Sequence, residues 1–112
     1  MSLSRPNLDG ITPLEVACMR GNLDAVMLLK SAGVDVDSAN EHGDTPFLIA
    51  SWEGHVDIVK FLFKHGGHAS ANRQNADGDT PLAVACWEGH VDVVRFLVAV
   101  RVDMYLENME VR

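Results

Sequence analysis

Basic residues are scarce in this chain of 112 residues: nine Lys and Arg face 16 Asp and Glu, for a formal net charge of −7. That deficit argues against nucleic acid as a partner, because phosphate binding needs a basic stripe. It argues equally against anionic membrane surfaces. No apolar run approaches the roughly 18 residues that a membrane-spanning helix needs. The opening stretch MSLSRPNLDG lacks the apolar block of a secretory signal. An intracellular chain, cytoplasmic or nuclear, is therefore expected. Cysteine is limited to Cys18 and Cys86, too few for a disulfide framework. Catalytic signatures are missing as well. There is no GxGxxG, P-loop or GxSxG pattern, and the acidic residues are scattered without complementary roles. Neither an enzyme activity nor a cofactor is expected.

What is present is an apolar fraction of 47 %, enough to build the core of one compact domain. It is accompanied by repetition. The stretch ASWEGHVDIVKFL, beginning at Ala50, is echoed by ACWEGHVDVVRFL, beginning at Ala85. Thr-Pro pairs occur at Thr12-Pro13, Thr45-Pro46 and Thr80-Pro81, spaced 33 and 35 residues apart. Each pair is preceded at a fixed distance by a glycine (Gly10, Gly43, Gly78) and followed by another (Gly21, Gly54, Gly89). An aspartate then follows in register: Asp24, Asp57, Asp92. A short self-similar period marks one small unit stacked on copies of itself.

The chemistry of each mark predicts the unit. Thr caps helix N-termini, and Pro is favoured at the first helical position, where no N–H is needed. The first copy should therefore carry a short helix from Pro13 to Arg20, ended by Gly21 in the left-handed conformation. A second helix follows, with Asp24, Asp57 or Asp92 in its first turn, where a negative charge suits the helix dipole. In the second copy its apolar positions, Val56, Val59, Phe61 and Leu62, recur at helical spacing. Gly33 and Gly66 should end it in the first two copies, and Gly43 and Gly78 mark the turn before the next Thr-Pro. Ala17, Ala50 and Ala85 suit close approach of neighbouring first helices, with Leu14, Phe47 and Leu82 beneath them. Such pairs bury their apolar faces only by stacking, and about three copies are needed.

The marks resemble those of the ankyrin repeat, most strongly in GDTPFLIASWEGHVDIVKFL and GDTPLAVACWEGHVDVVRFL, and also in GITPLEVACMRGNLDAVMLL. The resemblance covers nearly the whole chain. It implies an all-α, helix-turn-helix solenoid with β-hairpin-like loops, divided near 7–39, 40–74 and 75–108, with 101–112 as the start of an incomplete fourth unit. It also implies a protein–protein binding scaffold that uses the loop tips and the inner helix face. There are departures. Glu15, Leu48 and Ala83 stand where the family often has His, so the hydrogen bonds of that His are expected to be absent. Asp37, Ser70 and Tyr105 stand where it favours Asn. The second loop carries two extra residues. Arg101 replaces the glycine that ends the second helix. No polar capping repeat is visible, so an apolar end could self-associate as a homodimer, or the chain could be a spacer segment of a longer solenoid.

The candidate contact residues follow from the register. The seventh residue after each Thr is Met19, Trp52 or Trp87, and the eighth is Arg20, Glu53 or Glu88. Stacked copies would align the first three as an apolar ridge bordered by charge. Trp and Arg are frequent interface anchors. Two readings fit: the ridge takes an apolar group of a partner, or the indoles pack sideways between repeats. The loop tips add Glu41, His42, Asp44, Asp77 and Asp79, either a solvated acidic edge or a surface that steers a basic partner. Cys18 and Cys86 hold equivalent places two repeats apart and are expected to be buried, unbridged thiols, since layers about 8–10 Å apart exceed disulfide reach. His55 and His90 open the second helices in a structural role. His65 and His68 flank Gly66 and the glycine after it without a third ligand, so no metal site is expected.

Overall fold

The computed structural model describes residues 10–66 and 68–111, with the backbone alone from 102 onward. The described residues form six α-helices, one short 3-10 helix and no strand. The α-helices are α1 (Pro13–Arg20), α2 (Leu23–Ser31), α3 (Pro46–Glu53), α4 (Val56–Lys64), α5 (Pro81–Glu88) and α6 (Val91–Val111). They alternate between two layers. The inner layer is α1, α3 and α5, each packed on the next; the outer layer is α2, α4 and α6.

Each inner helix is cut to the same length by the same chemistry. The hydroxyls of Thr12, Thr45 and Thr80 accept from the backbone N–H of Glu15, Leu48 and Ala83 at 3.1, 3.1 and 3.2 Å. Each of these helices has Pro in its first turn and ends at a left-handed glycine. The expected loss of polar support at the three positions holding Glu15, Leu48 and Ala83 is corrected at the first. Glu15 closes a capping box, its Oε1 accepting from Thr12 N at 2.8 Å, and its Oε2 accepts from Asn40 Nδ2 at 2.8 Å. The T-x-x-E spacing of Thr12 and Glu15 is the sequence mark of that box.

The core lies between the layers. Ala17, Ala50 and Ala85 are buried where the inner helices meet, and Leu14 and Phe47 are buried beneath them; Leu82 is half-buried. Ile58, Val59 and Leu62 of α4, and Val93 and Leu97 of α6, face inward and are fully buried. Each such side chain contributes roughly 1.5–3 kcal/mol by leaving water. Phe63 links the layers, 6.4 Å from Phe47 and edge-on to Phe96 at 5.6 Å between centroids.

The loops are joined to one another by their asparagines. Asn40 Oδ1 accepts from the backbone N–H of His42 and Asp44, and Asn75 Oδ1 does the same for Asp77 and Asp79. Their amides reach one unit back: Asn40 to Glu15, and Asn75 to Asp44 at 2.9 Å. The N–H of Ala76 donates to the carbonyl of His42 at 2.9 Å. Gly43 (φ +78°) makes this approach possible, since a Cβ there would sit 2.9 Å from that Ala76 nitrogen. The two extra residues of the second loop are taken up around the 3-10 helix, Ser70–Asn72, whose Ser70 and Ala71 are buried.

The end of the chain differs from expectation. Arg101 stands where the earlier units place the glycine that ends the second helix, yet the backbone stays helical to Val111. Gly33 and Gly66 adopt positive φ just beyond α2 and α4. Arg101 offers no such freedom and instead donates from Nη1 to Asn72 Oδ1 at 2.7 Å. The side chain of Tyr105 lies outside the described residues.

Candidate functional site

The last turn of each inner helix carries the predicted ridge, and its members differ in exposure. Met19 is half-buried, Trp52 is 41 % exposed and Trp87 is 86 % exposed. The junctions between repeats are filled by a different part of the same motif. His55 Nε2 meets the carbonyl of Met19 at 3.1 Å, and His90 Nε2 meets that of Trp52 at 2.8 Å. Those carbonyls belong to helix C-terminal turns, where no intrahelical donor remains. Each ring lies against the glycine of the preceding unit. A Cβ on Gly54 would come within 2.5 Å of the His90 ring. Within WEGHVD, then, Gly and His join repeats, while the Trp side chain is partly covered in the middle unit and largely open to solvent in the last. Asn22 stands in the place of these histidines in the first unit and caps α2 instead, through Ala25 N at 3.1 Å.

Two open grooves lie between the loops and the inner helices. One, of about 410 Å³, is lined by Ile11, Glu15, Met19, Asn40, His42, Asp44, Leu48, Ile49, Trp52 and Glu53. The other, of about 330 Å³, is lined by Trp52, Asp79, Ala83, Val84 and Trp87. Trp52 is common to both. The structure thus gathers Met19, His42, Asp44, Trp52 and Glu53 in one groove, and Trp52, Asp79 and Trp87 in the next. Glu41 lies with His42 along a third groove beside Gly10. Arg20, Asp77 and Glu88 are exposed and line none of the three.

Charge is divided between the layers. On the inner helices and the two loop tips stand Glu15, Glu41, Asp44, Glu53, Asp77, Asp79 and Glu88, with Arg20 as the one base. On the outer helices as far as residue 101, Lys30, Lys60, Lys64, Arg95 and Arg101 outnumber Asp24, Asp57 and Asp92. Among the described residues the ion pair is Arg95–Asp92, at 3.9 Å on the outer layer. The inner carboxylates therefore have no basic partner there, and their field is directed at whatever approaches that face. Sequence reasoning missed Asn40 and Asn75, which order these tips. Their common position five residues before Thr was the available signal.

One expectation about the thiols is corrected. Cys18 is buried beneath α3, and burial, with a smaller contribution from Glu15, pushes its pKa up to about 12. Cys86 is exposed. The position faces the next inner helix, and among the described residues no helix packs over that side of α5. Ser51 holds the middle place, fully buried, with its Oγ unpartnered among the described residues. His65 and His68 pack on aromatic rings, Phe61 at 4.4 Å and Phe63 at 4.2 Å between centroids. No described helix is long and apolar enough to cross a membrane.

Comparison with known proteins agrees with the architecture. The family pattern described as ankyrin repeats (3 copies) matches residues 2–75, and that described as ankyrin repeats (many copies) matches residues 53–98. Human protein phosphatase 1 regulatory subunit 27 is 37 % identical over 75 residues, covering 67 % of this chain and 49 % of that protein. The Notch-regulated ankyrin repeat-containing protein of Xenopus tropicalis is 37 % identical over 65 residues, covering 58 % of this chain and 57 % of its own length. Human ankyrin repeat domain-containing protein 29 is 45 % identical over 58 residues, 51 % of this chain and 19 % of that protein. The chain thus spans about half the length of the first two relatives and a smaller part of the third.

Proposed function

This chain belongs to the ankyrin repeat family, whose repeats generally mediate protein–protein interaction, and on that premise we propose that it is an intracellular scaffold, cytoplasmic or nuclear, without enzymatic activity. Its partner is a protein that docks on the loop tips and inner helix face. The observation that carries this reading is the exposure of Trp87 and Trp52 beside unpaired carboxylates. A large aromatic surface held on a rigid scaffold loses little conformational entropy when it is covered. The contact set is Met19, Arg20, Glu41, His42, Asp44, Trp52, Glu53, Asp77, Asp79, Trp87 and Glu88, within repeats near 7–39, 40–74 and 75–108. A relative named as a regulatory subunit fits a chain that acts by contact rather than chemistry.

The test is affinity capture with three forms of the protein. Capture should be lost with Trp52→Ala/Trp87→Ala and kept with the outer-face control Lys60→Glu/Arg95→Glu. Equal capture by all three would refute the assignment of the face.

A second reading rests on a different observation. Ala83, Cys86 and Trp87 of α5, and Val91 at the start of α6, are all exposed. That surface could pack against another repeat, in a second copy or elsewhere in a longer solenoid, making the chain a spacer. Light scattering at high concentration tests the homodimer form, and Trp87→Glu should return any dimer to monomer.

A further inference from the structure

The two grooves beside the tryptophans are one groove written twice. Asp44 and Asp79 each precede the capping Thr, Ile49 and Val84 each stand four residues after it, and Trp52 and Trp87 seven after. In both grooves the opposite wall comes from the seventh position of the preceding unit, Met19 in one and Trp52 in the other. Each groove thus sets an apolar pair of side chains beside a half-exposed aspartate, and the first also carries His42, Glu15 and the exposed Glu53. Asp44 spends one oxygen on Asn75 Nδ2 and keeps the other free, while the carboxylate of Asp79 receives no donor among the described residues. Neither has a basic partner there.

Deepening the scaffold reading, on which it rests, we propose that these are twin arginine sites. They would receive a proline-rich segment of the partner carrying arginine at i and i+3. A long aliphatic stem fits the apolar pair, and a planar cation can stack on indole while reaching carboxylate. The spacing follows from the repeat. Adjacent packed helices lie about 8–10 Å apart. A polyproline helix has three residues per turn and rises about 3.1 Å per residue, so its i and i+3 side chains share a face about 9.3 Å apart. The acidic inner layer and the more basic outer layer favour approach of such a segment from one side.

The probe is a capped peptide with two arginines separated by two prolines, titrated against the intrinsic fluorescence of Trp52 and Trp87. Replacing either arginine by alanine should weaken binding at least tenfold, because the second contact is made at high effective concentration. Moving the arginines to adjacent positions should weaken it as much. Asp79→Asn should reproduce the loss of one arginine and abolish the difference between the two-arginine and one-arginine peptides. Thermal melts of the variant would confirm that it is folded. No binding, or binding that follows peptide charge regardless of spacing, overturns the twin sites. If the peptides fail while capture still depends on the tryptophans, this inference falls and the scaffold reading stands. Capture that ignores both tryptophans removes the scaffold reading instead.

Discussion

The middle and last inner helices share four of their eight residues, including the terminal Trp-Glu, yet they live in different surroundings. In α3 the sixth position after Thr, Ser51, is fully buried; in α5 the same position, Cys86, is exposed. Trp52 is 41 % exposed and Trp87 is 86 % exposed. Gly54 lies against the His90 ring, whereas a Cβ on Gly89 would meet nothing within 4 Å. The difference teaches that the motif specifies its own helix and turn, while the following unit decides what the motif's side chains touch.

The sharpest way to break that comparison is at the glycines. Both are left-handed, so Ala at either carries about 1–2 kcal/mol of backbone strain. Gly54→Ala also forces a ring out of its place, an overpacking cost of about 1–3 kcal/mol. Urea denaturation should show a loss of about 3 kcal/mol for Gly54→Ala and about 1 kcal/mol for Gly89→Ala. Equal losses would mean that the His90 contact contributes nothing.

A second difference lies in the thiols. The Cys18 pKa is raised in the folded state, from 9.0 to about 12. The unfolded chain therefore ionises first as pH rises. The stability held through the protonated thiol is complete below pH 9 and drains away towards pH 12, at about 1.4 kcal/mol per pH unit. Alkaline melts of the wild type should fall more steeply than those of Cys18→Ala. Parallel slopes would contradict the burial of Cys18. An aromatic disulfide reagent at pH 8 should label one thiol per native chain, at Cys86, and two after denaturation.

Smaller effects sharpen the same contrast. Ser51 carries an unpartnered hydroxyl where its counterparts are cysteines. Ser51→Cys should stabilise the fold by about 1 kcal/mol, since a buried polar group without a partner costs about 1–3 kcal/mol. Cys86→Ser should change stability by less than about 0.5 kcal/mol, as exposed substitutions usually do.

This contrast also explains what could be read from the sequence. The Thr-Pro starts, the left-handed glycines and the helix pairs are local chemistry, written within a few residues. The ridge and the acidic tips follow from counting in register. The exposure of Cys86 was illegible because it depends on which helix lies beyond α5, not on α5. The His55 and His90 bonds were illegible for a related reason: their acceptors are backbone carbonyls of another unit, which no side-chain pattern announces. The Glu15 capping box was legible and was outweighed by a departure from the family pattern at that position.

The ridge itself is tested most directly by two single-tryptophan proteins. With Trp52→Phe only Trp87 reports, and its emission should be red-shifted and readily quenched by acrylamide. With Trp87→Phe only Trp52 reports, with bluer emission and roughly half the quenching, in line with half the exposure. Two blue, protected tryptophans would place both indoles between repeats and contradict the binding face.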